Sequence, residues 1–217
     1  MGSAEDIQAM LAFQGGDEKG FEVLYERYSR PILNYLYRFT WDRSVAEELT
    51  QEVFLRVCRA ARTYEPRTAF RSWLYQIATN VGRNEVRKPA YSVRQDSLDS
   101  NSRMRTEGPG PTQPDPASEC PEEMAIARRL EQDIQRILMR LPERQRAALI
   151  LCRHHGFSYQ EIAAIMGLRE GAVKSLIHRA TETLRKGLGA YLDSDFGEGE
   201  RWNAMQEGPR ESDRLPG

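Results

Sequence analysis

Between Leu141 and Gly187 the chain spells out a pair of helices and the bend that separates them. Ser158-Tyr-Gln-Glu161 has the capping-box pattern, in which each end residue satisfies an orphan N–H of the other. Ile162, Ala163 and Met166 follow as the inner side of a short helix, and Gly167 is suited to end it. Beyond Leu168, residues Val173, Ile177, Ala180 and Leu184 recur at three- and four-residue steps, the stripe of an amphipathic helix. Upstream, Pro142 fits the first turn of another helix, which Gly156 closes. The small Ala163 and Ala164 would let neighbouring helices approach closely. A short helix, a glycine turn and a second amphipathic helix make the helix-turn-helix layout. Opposite its stripe the second helix presents Gly171, Lys174, Ser175 and His178, with Arg169 and Arg179 beside them. Lysine and arginine suit phosphates or the guanine edge in the major groove, and serine suits either. This face is expected to lie against double-stranded DNA.

The rest of the chain is helical wherever it has a pattern. Phe21, Leu24, Tyr25, Tyr28, Ile32, Tyr35, Leu36 and Phe39 line one side of a helix. Pro31 lies inside it, lacks a backbone donor, and is expected to kink it. Ser44-Val-Ala-Glu47 reads as a second capping box, opening a helix with Val45, Leu49, Val53, Val57 and Ala61 on its stripe. A third helix carries Phe70, Trp73, Leu74, Ile77 and Val81. Phe70 and Trp73 sit on that stripe, so they are expected in the core and not as stacking platforms. With a short helix near Asp6–Phe13, these elements can bury one another's stripes as a bundle over 1–88.

Between Pro89 and Pro121 six prolines and five serines replace the apolar pattern. Such a segment buries too little surface to offset its ordering entropy. Residues 89–121 are read as a flexible linker, 122–190 as a second helical domain, and 191–217 as a disordered acidic tail. The expected fold class is therefore all-α, with two small helical domains.

The net charge of −1 conceals an uneven distribution. Residues 63–88 carry five Lys/Arg against two Glu, and 138–190 carry nine against four. The tail carries three against seven, a charge that would also suit an internal competitor for a basic face. Two basic patches in a near-neutral chain point to two nucleic-acid contacts. No apolar run reaches the roughly 18 residues needed to span a bilayer. Cys58, Cys120 and Cys152 are odd in number and widely spaced, which suits a reducing cytoplasm better than a disulfide framework. Cys152, His154 and His155 lack an evident fourth ligand for zinc. No catalytic constellation, phosphate loop or cofactor motif stands out, so an enzyme is not expected.

A helix-turn-helix alone fits a repressor, an activator or a recombinase; the N-terminal half decides. The runs Leu141-Pro-Glu-Arg-Gln-Arg146, Gly156-Phe-Ser-Tyr-Gln-Glu-Ile-Ala163, Gly171-Ala-Val-Lys-Ser175 and His178-Arg-Ala180 resemble region 4 of bacterial sigma factors. Ala46-Glu-Glu-Leu-Thr-Gln-Glu-Val-Phe54, Phe70-Arg-Ser-Trp-Leu-Tyr-Gln-Ile-Ala78 and Asn80 resemble region 2. Both lie in the right order, and the linker stands where larger sigma factors have a middle domain. The chain is thus similar to the extracytoplasmic-function group.

The resemblance implies a transcription initiation factor, working with core RNA polymerase and promoter DNA. Glu48, Gln51, Glu52 and Leu55 would dock on the β′ clamp coiled coil, and region 4 on the β flap. Arg71, Gln76, Asn80, Arg83, Arg87 and Lys88 would follow the melted −10 strand, with the loop over 64–69 capturing a flipped base. Arg169, Gly171, Lys174, Ser175, His178 and Arg179 would read the −35 duplex. An anti-sigma factor is an expected partner. Leu176 stands where arginine is common, which removes a polar contact or exchanges it for a thymine methyl. Arg169 stands where a Ser or Thr cap is usual, which weakens the helix start.

Overall fold

The computed structural model describes residues 2–66, 68–88 and 121–189, and all its regular elements are helices. The proposed linker and acidic tail lie almost wholly outside the described residues, as does Cys120. The elements are α1 (Gly2–Gln14), α2 (Glu18–Thr40), α3 (Arg43–Ala60) and α4 (Phe70–Val86). They are followed by α5 (Pro121–Arg140), α6 (Glu143–His155), α7 (Tyr159–Met166) and α8 (Glu170–Gly187). A short 3-10 turn, Ala61–Thr63, follows α3.

Helices α2, α3 and α4 bury most of the stripes expected of them: Leu24, Ile32, Tyr35, Leu36 and Phe39 from α2, Val53 and Val57 from α3, Phe70 and Leu74 from α4. Phe21, Trp73 and Ile77 are half-buried, and Tyr25, at the rim of its stripe, is exposed. Helix α2 runs as one element through Pro31. Asp17 caps its start, accepting from the Lys19 N–H, and Trp41 ends it at φ 54, in the left-handed region. The start of α3 differs from expectation. Asp42, not Ser44, is the N-cap, with extended backbone and its carboxylate accepting from the Val45 N–H. Ser44 is already within the helix, so no capping box forms there; the acidic cap two residues earlier takes the orphan donors.

Helix α1 is tied down by a buried carboxylate. Asp6, 1% exposed, pairs with Arg27 and accepts from the Tyr28 hydroxyl at 2.5 Å. Its neighbours on α2 therefore compensate a charge that would otherwise be costly to bury. The two helices approach closely at Gly20, where an added Cβ would lie 2.2 Å from the Ala9 carbonyl oxygen.

In the second half the punctuation reads as expected. Gly156 and Gly167 end α6 and α7 at φ 65 and 63. Ser158 and Glu161 form the full capping box. Ile162, Val173, Ile177 and Ala180 are buried, together with Leu138, Leu141, Ile150 and Leu151. Ala163 is packed, but Ala164 faces outward, one step round the helix from the contact. The two groups of helices are not splayed. Helices α6 and α7 pack on α4, and α6 also meets α2, giving one continuous apolar core.

Gly20→Ala is predicted to cost about 1–3 kcal/mol, because the new methyl meets backbone that cannot yield. Urea unfolding should show a lower midpoint, and α1 amides should exchange faster. A variant as stable as the parent would contradict this α1–α2 packing.

Candidate nucleic-acid interface

Helix α8 holds its polar face away from the core. Arg169, Gly171, Lys174, Ser175, His178 and Arg179 are all exposed, while Val173 and Ile177 anchor the opposite side. Arg169 is the N-cap residue and makes no side-chain cap bond, so the first N–H groups of α8 are left to solvent or a ligand. Ser175 donates to the Gly171 carbonyl at 3.0 Å and can still accept. Leu176 is half-buried against the core, which limits the apolar contact it can offer a base.

On α3, Glu48, Gln51 and Leu55 are exposed and Glu52 is half-buried. Glu52 accepts from Arg56 at 2.7 Å, and that bond holds its carboxyl below the ordinary value. Leu55 is 51% exposed, and Tyr25, which lines an open cleft between α2 and α3, is 46% exposed. Leu33, Thr50 and Gln51 line the same cleft. An acidic patch with apolar points suits a basic partner helix. The sequence pattern identified Gln51 and Leu55 but not Tyr25, which shares the α2 core stripe by spacing and rests at its edge.

Arg71, Gln76, Asn80 and Arg83 lie on α4 and Arg87 and Lys88 just beyond it, and they separate into three groups. Gln76 and Asn80 are exposed, as is Lys88, which pairs with Glu85 at 2.6 Å. Arg87 is exposed but paired with Glu143, and the half-buried Arg83 shares that carboxylate. Arg71 turns to the other edge, donating to the His155 carbonyl with its guanidinium 4.0 Å over the Phe157 ring. Phe70 is fully buried and Trp73 is half-buried against Tyr64 at 5.0 Å, so both belong to the core side. In the loop before α4, Tyr64 is buried while Glu65, Pro66 and Thr68 are exposed.

This arrangement has known counterparts. Residues 24–90 match the family Sigma-70 region 2, and residues 131–184 match Sigma-70, region 4. The RNA polymerase sigma-H factor of Pseudomonas aeruginosa is 32% identical over 191 residues, 87% of this chain and 96% of that protein. The chain belongs to the sigma-70 family, in its extracytoplasmic-function (ECF) group. The ECF RNA polymerase sigma factor SigE of Mycolicibacterium smegmatis is 34% identical over 172 residues, 79% of this chain but only 62% of that protein's length. The fold is also that of CnrH, solved in complex with the cytosolic domain of CnrY, at TM-score 0.59 and 23% identity over 89% of this chain and 99% of that one. Sigma factors direct RNA polymerase to promoters, and that is the role of this chain. Among the described residues no helix is long and apolar enough to cross a membrane.

In this sigma factor the two regions meet through polar contacts that the sequence pattern did not reveal. Arg146 of α6 is 4% exposed and donates to the Phe39 carbonyl at 2.7 Å, in the last turn of α2. It also donates to Met139 and Leu141, where α5 ends. Its charge thus sits at the negative ends of two helices. His155 closes α6 against Tyr35 and Tyr75, with ring centroids 5.5 and 5.0 Å away, and its Nδ1 pairs with the Tyr75 hydroxyl at 2.8 Å. Burial, then the positive charge of Arg38, His154 and Arg71, lowers the imidazole from 6.5 to about 4. Burial pushes the Tyr75 phenol up to about 12. The imidazole is therefore neutral when the regions are packed.

Opening the contact returns His155 to its ordinary value near 6.5, so the packed state holds fewer protons below that pH. Packing is at full strength above 6.5 and weakens as pH falls towards 4. At about pH 5.5 the packed-to-open ratio should drop about tenfold, while Glu143 stays ionised. Energy transfer between dyes at Asn84→Cys and Thr183→Cys measures this, with native cysteines replaced by serine. His155→Gln should flatten the response; an unchanged response in that variant would contradict the assignment.

Proposed function

We propose that this ECF sigma factor grips a promoter at two points, through Arg169, Gly171, Lys174, Ser175, His178 and Arg179 at the −35 duplex and through α4 at the melted −10 strand. The observation that carries the reading is the exposed basic face of α8, set on a helix-turn-helix whose caps and buried stripe fix its direction. Gln76, Asn80, Arg83, Arg87 and Lys88 supply the −10 contacts, with Arg71 at the far edge of the same helix. Glu48, Gln51, Glu52 and Leu55, extended by Tyr25, form the surface for the polymerase β′ clamp coiled coil, while region 4 meets the β flap. The domains are taken as 1–88 and 122–190, joined by a flexible 89–121 and followed by a disordered tail. The protein acts in the cytoplasm and performs no catalysis of its own. An anti-sigma factor is its regulator; the solved complex of RpoE with the anti-sigma factor NepR from Bartonella quintana shares the fold at TM-score 0.56 and supports that reading.

Run-off transcription with purified core polymerase tests the assignment. Lys174→Ala or Arg179→Ala should each weaken −35 dependence by about 1–3 kcal/mol, roughly five- to 150-fold in promoter affinity. Leu55→Arg should instead lower core binding and reduce output at every promoter alike. An unchanged promoter profile for the α8 variants would remove α8 as the −35 reader. A repressor or activator would bind its operator without polymerase, and no promoter-specific transcript would favour that reading.

A further inference from the structure

Helix α6 meets α4 at a point where one carboxylate faces two arginines. Glu143 Oε1 lies 2.5 Å from Nη2 of Arg87 and 3.5 Å from Nη2 of Arg83. One oxygen bridging two guanidinium groups is the way a backbone phosphate is held. Glu143 is also the first residue of α6, where the helix N-terminus favours negative charge. It is partly sheltered, with 23% of its side chain exposed against 13% for Arg83. We propose that Glu143 is a built-in substitute for a DNA phosphate, which holds the sigma factor closed by occupying Arg83 and Arg87 until a promoter strand displaces it.

Three features of the packing fit this role. The same helix that brings Glu143 also ends at His155, whose carbonyl takes the Arg71 guanidinium. Three cations of the α4 candidate set are therefore engaged by one segment of region 4 and the loop after it. The α8 face is left exposed in the same state, so closure blocks one promoter grip and spares the other. Finally, the competition is one of charge: a carboxylate on Nη2 of both arginines offsets the positive charge that a phosphate would otherwise meet there. Burial pushes the Glu143 carboxyl up, but the bond from Arg87 and the charges of Arg87 and Arg83 outweigh it and hold the group ionised. The proposal rests on α4 being the −10 strand surface.

The test uses the full chain with the dye pair at Asn84→Cys and Thr183→Cys, and a fluorescein-labelled single-stranded DNA of mixed sequence at low salt. Glu143→Gln keeps the shape and removes the charge; Glu143→Lys reverses it. Glu143→Gln should open the chain and raise DNA affinity about three- to tenfold, with Glu143→Lys opening it further. Its affinity should fall more steeply with salt, by up to about two more phosphate contacts. Arg83→Ala with Arg87→Ala in the Glu143→Gln chain should remove the gain. Unchanged dye separation in both Glu143 variants overturns the closure by this residue. A chain that opens without gaining affinity overturns the phosphate role and places the failure in the DNA assignment of α4.

Discussion

Arg146 is the cation on which the packing of the two regions depends. It is buried, and its donors reach the carbonyl ends of α2 and α5 together. Helix C-termini carry unsatisfied carbonyls and partial negative charge, so a guanidinium there serves as a shared cap for both. Its planar fork can address carbonyls in several directions, which a lysine ammonium on the same stem could not reproduce. Around it the contact is built in layers. The Phe39 ring lies 5.5 Å beneath the guanidinium, the His155 and Tyr75 pair lies beyond, and the Glu143 cluster forms the outer edge. Beside the apolar core that the two regions share, this contact carries polar groups, and the imidazole Nε2 has no partner among the described residues. Such groups make it easier to reverse than a wholly apolar contact, because water can satisfy them when it opens.

Reversibility is what the functional reading requires. A two-point promoter grip places α4 on one DNA element and α8 on another, about a turn or more of duplex away. The packed arrangement leaves α8 accessible but engages Arg71, Arg83 and Arg87 with region 4. The surface proposed for polymerase on α3 stays exposed at Glu48, Gln51 and Leu55. On the proposed assignments, polymerase can dock on the described state while the −10 surface is held back. Docking both regions on separate parts of polymerase would supply the energy that separates them.

The helices and their ends were legible because their causes are local. Ser158, Glu161, Gly156 and Gly167 act within a few residues of themselves, and each stands where its chemistry predicts. The exposed face of α8 followed from its buried stripe by simple rotation. The start of α3 was misplaced because Ser44 and Asp42 both offer a capping oxygen, and only the backbone angle decides between them. Helix α4 carries a second buried line, Ser72, Tyr75, Thr79 and Gly82, beside the apolar one. All four are small or hydroxylic, so an apolar periodicity passes over them. Thr79 and Gly82 serve the packing on α2, through the Tyr35 hydroxyl and a Phe39 ring that would lie 3.1 Å from an added Cβ, while Tyr75 reaches His155 of region 4. Arg146, Glu143 and His155 resembled ordinary members of a charged helix, since their partners lie 56 to 107 residues away.

One transition is central to the proposed function, from regions packed through Arg146, His155 and Glu143 to regions held apart on polymerase and promoter. The most direct measurement is the distance distribution between spin labels at Asn84→Cys and Thr183→Cys, recorded for the free chain and for the chain bound to core polymerase. A short, narrow distribution is expected in the free protein and a single longer one in the bound protein. The same short distance in both states would contradict that transition.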